Sequence, residues 1–425
     1  MRLLVISYYW PPAGGPGVQR WLKTSLALSE LGHQVEILTV DPRYATYPLR
    51  DESLMQEAKP LTVHHTAARD WFAAYQKLTR RKEVPFSGFA NQAGRPGPIQ
   101  RLSRFIRGNF FLPDPRRGWN GYALSKARQL NGKLPFDLVI TTGPPHSTHL
   151  IGRSLKRQLG LQWWADFRDP WTDIYYYDRF YPSRWARSLD ARMERSVLNE
   201  ADRIITVAKD LQRLFDLKAP GLSARCHIMP NGYDPADFSL EDVAPQNSVF
   251  TIAYTGTLTL EYPVKQVEEA LRQILHTGRA LRLRIAGRPA KEFEAHMELL
   301  THEFSNFHAE FLGYLAHKNS VMVLQEADAL LLLIPELPNN KGILTGKLFE
   351  YLGSGRPIWG FGPVDGDAHE IIHDCDAGGL FESSSEAAQC LLEWMDEGKS
   401  GASFEARRSY TRKGLAQKLM DSKAT

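Results

Sequence analysis

The densest group of residues able to do chemistry lies between Lys341 and Phe361. It reads Lys-Gly-Ile-Leu-Thr345-Gly346-Lys347-Leu-Phe-Glu350-Tyr-Leu-Gly353-Ser-Gly-Arg-Pro-Ile-Trp-Gly-Phe. An apolar run from Ala329 to Ile334 precedes it, with the length of a parallel strand buried on both faces, and Pro335, Glu336 and Asn339-Asn340 end that strand. The chain then enters a loop at the strand's carboxyl end, the edge of an open α/β sheet where ligands bind. A helix starting here leaves the amides of Thr345, Gly346 and Lys347 free to hold a phosphate. Glu350 sits one turn further in, where a carboxylate can accept from both hydroxyls of a ribose. A capping box does not explain it, because the acidic position would be Leu348 or Phe349. Interaction with the helix dipole is the plainer role left to it.

Two more clusters fall on the same kind of edge. A strand read over Asp137 to Thr142 enters Gly143-Pro144-Pro145-His146, where the prolines fix the backbone and His146 can assist deprotonation of a reacting oxygen. Capping of the following helix is the competing role, equally open to Ser147 and Thr148. A strand over Leu161 to Asp166 enters Phe167-Arg168-Asp169-Pro170-Trp171, giving Arg168 and Asp169 as a base or as phosphate and acceptor contacts. Near the start, Trp10-Pro-Pro-Ala-Gly14-Gly15-Pro-Gly17 is a loop whose glycines let backbone approach a bound group. Gly15 and Gly17 match a dinucleotide fingerprint, but Arg20 stands where the third glycine belongs, which argues against an NAD enzyme.

The stretch around Glu350 resembles the donor-nucleotide motif of retaining glycosyltransferases of the GT-B fold, in the family 4 (group 1) class of bacterial type. The resemblance implies an α/β chain of two facing Rossmann-like domains with an interdomain cleft. Glu350 matches the second glutamate of a Glu-seven residues-Glu pattern, which holds the ribose. The first glutamate would fall at Gly342, so the chain follows instead a variant with Lys-Leu-Phe-Glu-Tyr-Leu before Gly-Arg-Pro. The loop with Gly14 and Gly15 resembles the family's first glycine-rich loop, which implies that it faces donor phosphates and acceptor. Relatives carry an arginine and a later lysine on the diphosphate after the first strand of the second domain. Here Gly256 is followed by Thr257 in place of arginine, with Lys265 as the lysine. His146, by its position directly after a buried strand on the ligand-binding edge, either aids deprotonation or orients the sugar.

The elements that must position these residues alternate. Leu3 to Ser7, a helix from Val18 to Leu31 closed by Gly32, and a strand from Gln34 to Val40 make a βαβ opening. Residues 41 to 98 read as an irregular insertion with short helices. From Ile99 the spacing gives a basic amphipathic helix, with Ile99, Leu102, Phe105 and Ile106 in one arc and Arg101, Arg104 and Arg107 opposite. Such a helix either lies on an anionic membrane or packs on the core with a solvated basic face. After Asn231-Gly-Tyr-Asp234 the alternation repeats, with strands over Val249 to Tyr254, Leu281 to Ile285 and Phe307 to Leu312. The organisation expected is 1–234 as an acceptor-side domain, 235–402 as a donor domain, and a helical tail, 403–425, crossing back to the first.

The chain of 425 residues is 43% hydrophobic and 24% charged, ordinary for a globular protein, and its formal net charge of +4 is too mild to imply nucleic acid. Three cysteines with no Cys-x-x-Cys spacing argue against a disulfide framework and a zinc site and fit a reducing cytoplasm. The short apolar run after Arg2 is not long enough for a signal peptide, and no stretch approaches the ~20 residues a membrane helix needs. Asp365-Gly-Asp367 and Asp374-Cys-Asp376 read as helix-start and turn residues, so no metal or other cofactor is expected. The function expected is hexosyl or related transfer from a nucleotide-sugar donor to a glycan or lipid-linked hydroxyl, in cell-surface polysaccharide synthesis. A nucleotide-sugar epimerase of the same fold, or an inert nucleotide- or lipid-binding paralogue, is the alternative.

Overall fold

The computed structural model describes residues 1–45, 47, 49–69, 97–238, 247–259, 261–337 and 339–421. The chain divides into two compact units, the first made of residues 1–229 with the chain's end from Ala416, the second of Pro230–Leu415. Each is built on a parallel sheet whose central strands are apolar on both faces, and helices cover them.

The first sheet contains β1 (Arg2–Ile6), β2 (Gln34–Val40), β3 (Thr62–Thr66), β4 (Leu138–Gly143), β5 (Trp163–Phe167), β6 (Arg203–Thr206) and β7 (Cys226–Ile228). Their order is β3-β2-β1-β4-β5-β6-β7, so the winding reverses between β1 and β4. The second contains β8 (Phe250–Thr257), β9 (Leu281–Arg288), β10 (Phe307–Gly313), β11 (Ala329–Leu333), β12 (Ile358–Phe361) and β13 (Gly378–Phe381). Its order is β10-β9-β8-β11-β12-β13, with the reversal between β8 and β11. At such a reversal the two following loops part to opposite faces and leave a crevice at the strands' carboxyl ends. Both motif-bearing regions emerge there: the Gly143–His146 loop after β4, and the Lys341–Thr345 loop after β11.

Two sequence expectations are corrected. Residues 62–66 form β3, pairing with β2 from Glu36–Thr62 to Val40–Thr66. The segment Thr-Val-His-His-Thr is half-exposed at the sheet's edge and lacks an apolar face that would signal a strand. Much of the insertion read over 41–98, residues 70–96, lies outside the described residues. The tail is not one helix. It runs as Phe404–Arg407, a tight turn over Arg408–Tyr410 and Arg412–Asp421, because Tyr233 bridges Thr411 and claims the backbone there. Among the described residues no helix is long and apolar enough to cross a membrane.

Arg20, the residue that breaks the dinucleotide pattern, has a structural task. It lies on helix Pro16–Glu30, and its guanidinium reaches the Asp166 carboxylate in β5 at 2.8 Å, with both side chains almost fully buried. Asp166 also accepts from the Trp21 indole at 2.6 Å and from the Thr142 hydroxyl at 2.8 Å. One carboxylate thus ties the first helix to β4 and β5 beside the reversal point. Removing one partner of a buried pair strands the other charge, which costs about 3 kcal/mol or more. Arg20→Met should therefore lower the unfolding free energy by about that amount in chemical denaturation, and Arg20→Met with Asp166→Asn should recover part of it. A loss under ~1 kcal/mol in the single variant would show that the ion pair is not what fixes this helix.

Candidate functional site

In the second unit the site is built around helix Gly346–Ser354. Leu348, Phe349, Tyr351 and Leu352 are buried and seat it on the sheet. Its carboxyl end is closed by Gly355 in the left-handed conformation, not by Gly353, and the buried Arg407 guanidinium donates to the Leu352 carbonyl at 2.8 Å and to the Gly353 carbonyl. A cation on terminal carbonyls satisfies them and complements the helix dipole. At the other end Thr345 is the N-cap by its backbone, but its hydroxyl makes no cap bond and is buried with no partner. The first amides, including those of Gly346 and Lys347, have no intrahelical acceptor.

Lys347 turns back over the end of β8. Its ammonium donates to the Tyr254 hydroxyl at 2.7 Å and approaches the Thr257 carbonyl at 3.5 Å, and it lies 4.7 Å from the Tyr254 ring centre and 5.4 Å from that of Tyr262. Burial lowers its pKa to about 8, with Glu350 pulling the other way. Gly256, at φ 114°, is needed here, because a Cβ on it would lie 2.5 Å from the Lys347 Cε. Glu350 faces the same end of the unit. Burial raises its pKa, while His317, Arg412 and Lys347 oppose the rise. His317 is itself paired with Asp237 at 3.4 Å, and that contact raises the histidine pKa. Among the described residues no donor is hydrogen-bonded to the Glu350 carboxylate.

In the first unit, the loop after β4 and the loop after β5 come together. Arg168 donates from Nε to the Gly143 carbonyl at 3.0 Å and from a terminal nitrogen to the Pro144 carbonyl at 3.2 Å. Its guanidinium lies against Gly17, where a Cβ would fall 1.6 Å from one of its nitrogens. The glycine therefore admits an arginine, which agrees with the sequence argument against a dinucleotide fingerprint here. Asp169 is half-buried, and burial raises its pKa, with Arg168 partly offsetting the rise. His146 occupies the N-cap position of helix Ser147–Leu159, yet its side chain makes no cap bond. The helix start is served instead by Asp114, which accepts from the Ser147 amide at 2.7 Å and hydroxyl at 2.8 Å. The His146 ring stacks on Trp171, 5.0 Å between centres and 8° from parallel, and burial, His149 and Arg168 hold its pKa well below the usual range.

The structure thus gathers Thr345, Gly346, Lys347, Glu350, Gly256 and Thr257 at one reversal point, and His146, Arg168 and Asp169 at the other. Gly14 and Gly15 precede helix Pro16–Glu30, where the Gly14 amide is taken by the Leu49 carbonyl at 3.1 Å and Gly15 stands at the N-cap. Lys265 is exposed on the first turn of helix Val264–His276 and has no charged partner among the described residues. Asp365 pairs with Lys341, Asp367 opens helix Asp367–Asp374, and Asp376 sits in the turn after it. The sequence reading did not single out Tyr254, His317, Arg412 or His149. Tyr254 was within reach of the edge argument, since it stands near the end of a strand. Arg412 was not, because it approaches from the tail.

The family described as Glycosyl transferase 4-like domain matches residues 14–232, just over half of the chain. No curated protein matches the sequence significantly. Among solved structures, the chain is similar to Anabaena HepE in complex with UDP (13% identity, all of both chains covered, TM-score 0.63). It is also similar to a glycosyltransferase from Rickettsia africae (13%, 99% of this chain and 97% of that one, 0.60). A third is the lipopolysaccharide outer core galactosyltransferase WaaB in its apo form (12%, 99% of each, 0.58). At such identities the likeness is one of fold, and that fold is GT-B, with two Rossmann-like units.

Proposed function

The chain belongs to the glycosyl transferase 4-like family, and from that premise we propose that it moves a hexosyl or related sugar from a nucleotide donor to a glycan or lipid-linked hydroxyl with retention. The observation that carries the donor assignment is the pairing of Lys347 and Glu350 on one helix start at the β8/β11 reversal. Lys347 and the amides of Gly346 and Lys347 hold the diphosphate, and Glu350 accepts from the ribose hydroxyls. Family membership favours transfer over epimerisation. His146, Arg168 and Asp169 are assigned to the acceptor side and the reacting oxygens. With phosphate charge met by Lys347 and amides, the reaction as we propose it needs no metal. UDP, bound by HepE, is the first nucleotide to test. Incubation with labelled nucleotide sugars separates the activities: slow donor hydrolysis supports transfer, while interconversion of sugars would overturn it.

Glu350→Gln replaces two charge-assisted bonds to ribose by neutral ones, each worth on the order of 1 kcal/mol. Calorimetric affinity for the nucleotide should fall about 5- to 30-fold in a folded variant, and unchanged affinity would remove the ribose assignment.

The Lys347 pKa of about 8 fixes the sign of a pH effect. The ammonium is present below that value and lost above it, so affinity for a nucleoside diphosphate should decline as pH rises through 8 to 9, with the free protein titrating. Lys347→Met should bind more weakly below pH 8 and lose this decline. The wild-type profile should be the same with EDTA present. A flat wild-type profile would contradict the phosphate role, and loss of turnover in EDTA with rescue by magnesium would contradict metal independence.

We place the protein, further, at the cytoplasmic face of an anionic membrane. The support is helix Pro98–Phe110. It packs through Arg107, whose guanidinium lies 4.1 Å from the Phe180 ring centre, and through Asn109, which bonds Tyr181 and Ser183. Arg107 is therefore not on a solvated basic face, as the sequence pattern suggested. The face turned outward carries Arg101 with Leu102, Phe105 and Phe110, which are 60%, 42% and 75% exposed. An exposed apolar face beside a cation suits the headgroup boundary. The protein should bind phosphatidylglycerol vesicles at low salt and release as salt rises, and Leu102→Ser with Phe105→Ser should abolish binding. A wild type that ignores such vesicles would leave the helix a structural element only.

A further inference from the structure

The His146 ring is held by ring faces and not by hydrogen bonds. Its Nδ1 is buried without a partner, and among the described residues no group bonds either ring nitrogen. Three rings lie beside it: Trp171 at 5.0 Å between centres and 8° from parallel, Phe167 at 6.0 Å and 28°, and His149 at 6.1 Å and 37°. Trp171 is the nearest and the most nearly parallel, so the plane of that indole sets the plane of the imidazole.

What fixes the indole is a carboxylate. Trp171 is buried, and its Nε1–H donates to Asp190 Oδ1 at 2.7 Å, while Asp190 Oδ2 accepts from the Tyr177 hydroxyl at 3.0 Å. Asp190 is itself buried and lies on helix Arg184–Glu200. Burial pushes its pKa up to about 6, with the Trp171 and Tyr177 bonds acting against the rise, so the group is ionised at pH 8. One turn further along the same helix face, Glu194 accepts from the Thr172 hydroxyl at 2.6 Å and from the Lys218 ammonium at 2.7 Å. Trp171 and Thr172 are thus pinned to one helix directly after Arg168-Asp169-Pro170. Arg168 meanwhile grips the backbone of the His146 loop by the Gly143 and Pro144 carbonyls. The loop and the ring it carries have separate anchors.

We propose that Asp190 is a positioning residue: by holding the Trp171 indole it fixes the plane in which the His146 ring meets the sugar and acceptor oxygens. The proposal rests on the reading that His146 contacts those oxygens. What the geometry requires is the bond to the indole and not the charge. An asparagine at 190 keeps an oxygen for the indole N–H and turns its own N–H toward the Tyr177 hydroxyl, which can accept as well as donate. A leucine has nearly the same bulk and makes neither bond. The indole N–H is then buried unpaired, and the ring turns toward any other acceptor within reach, taking away the flat surface on which His146 rests.

Turnover and nuclear magnetic resonance of the whole labelled protein at pH 8 test this, with His146→Ala and Trp171→Phe used for assignment. In the wild type the His146 ring protons should be shifted upfield by the indole ring current. Asp190→Leu should lower kcat by on the order of tenfold at unchanged donor KM and move those signals toward the positions of a free imidazole. Asp190→Asn should keep turnover within about threefold and leave the His146 signals in place. A folded Asp190→Leu with wild-type kcat and wild-type His146 signals would overturn the proposal, and so would an Asp190→Asn that loses as much kcat as Asp190→Leu. If Asp190→Leu does not fold, Trp171→Phe serves instead: a ring remains in the slot but its N–H is gone. There kcat should fall several-fold with donor KM unchanged, and an unaltered kcat would refute the tether. Turnover of His146→Ala tests the underlying reading separately, since wild-type turnover would remove His146 from the reaction whatever the spectra show.

Discussion

The bond from the Lys347 ammonium to the Tyr254 hydroxyl, 2.7 Å long, joins the start of helix Gly346–Ser354 to the end of β8. It spans the one place in the second sheet where winding reverses, and so holds the first turn of the helix over the crevice. Several features exist to permit it. Gly256 has no side chain where Lys347 passes, and Arg407 holds the other end of the helix by its last carbonyls. The tail segment that supplies Arg407 therefore belongs to the second unit's site as much as any loop does. A lysine so enclosed has lost part of its hydration, and the lowered pKa is the sign of that loss. A phosphate brought to it would restore the missing counter-charge, which is why the site reads as poised for an anion.

The first unit uses the same geometry for different groups. Its reversal point is braced by a buried carboxylate, Asp166, which takes an arginine, an indole and a hydroxyl from two other elements. The side chains gathered beside the crevice are then the His146 imidazole, an arginine bound to backbone carbonyls and a half-buried aspartate, with His149 fully buried behind them. The arginine's hydrogen bonds to Gly143 and Pro144 fix the loop that carries His146. Burial and Arg168 disfavour the charged form of both imidazoles, His146 and His149.

What the sequence made legible follows from the range of the interactions involved. The Glu350 helix was readable because its strand, loop, glycine and helix formers are contiguous, and each obeys a local rule. Arg20 was readable as a break in a pattern, but not as half of an ion pair, since Asp166 is distant in the chain and the pair exists only once β5 lies beside β4. His149 looked like any core residue of a helix. Its ring nitrogen meets the Thr141 hydroxyl, which also accepts from the Trp163 indole on the neighbouring strand, and neither contact is visible in the local sequence. The edge strand β3 carried no apolar alternation, and the break in the tail at Arg408–Tyr410 has its cause in Tyr233, far upstream. Helix boundaries slipped where two glycines compete. Gly353 looks like a stop, but the left-handed residue that ends the helix is Gly355.

The claim on which the rest turns is that the start of helix Gly346–Ser354 receives the diphosphate of the donor and Glu350 its ribose. A crystal structure of the protein with UDP bound tests this most directly. The account predicts a phosphate oxygen within hydrogen-bond distance of the Gly346 or Lys347 amide and of the Lys347 ammonium, with both ribose hydroxyls on the Glu350 carboxylate. A nucleotide seated elsewhere, for instance on the Gly14-Gly15 loop of the first unit with Glu350 untouched, would contradict it.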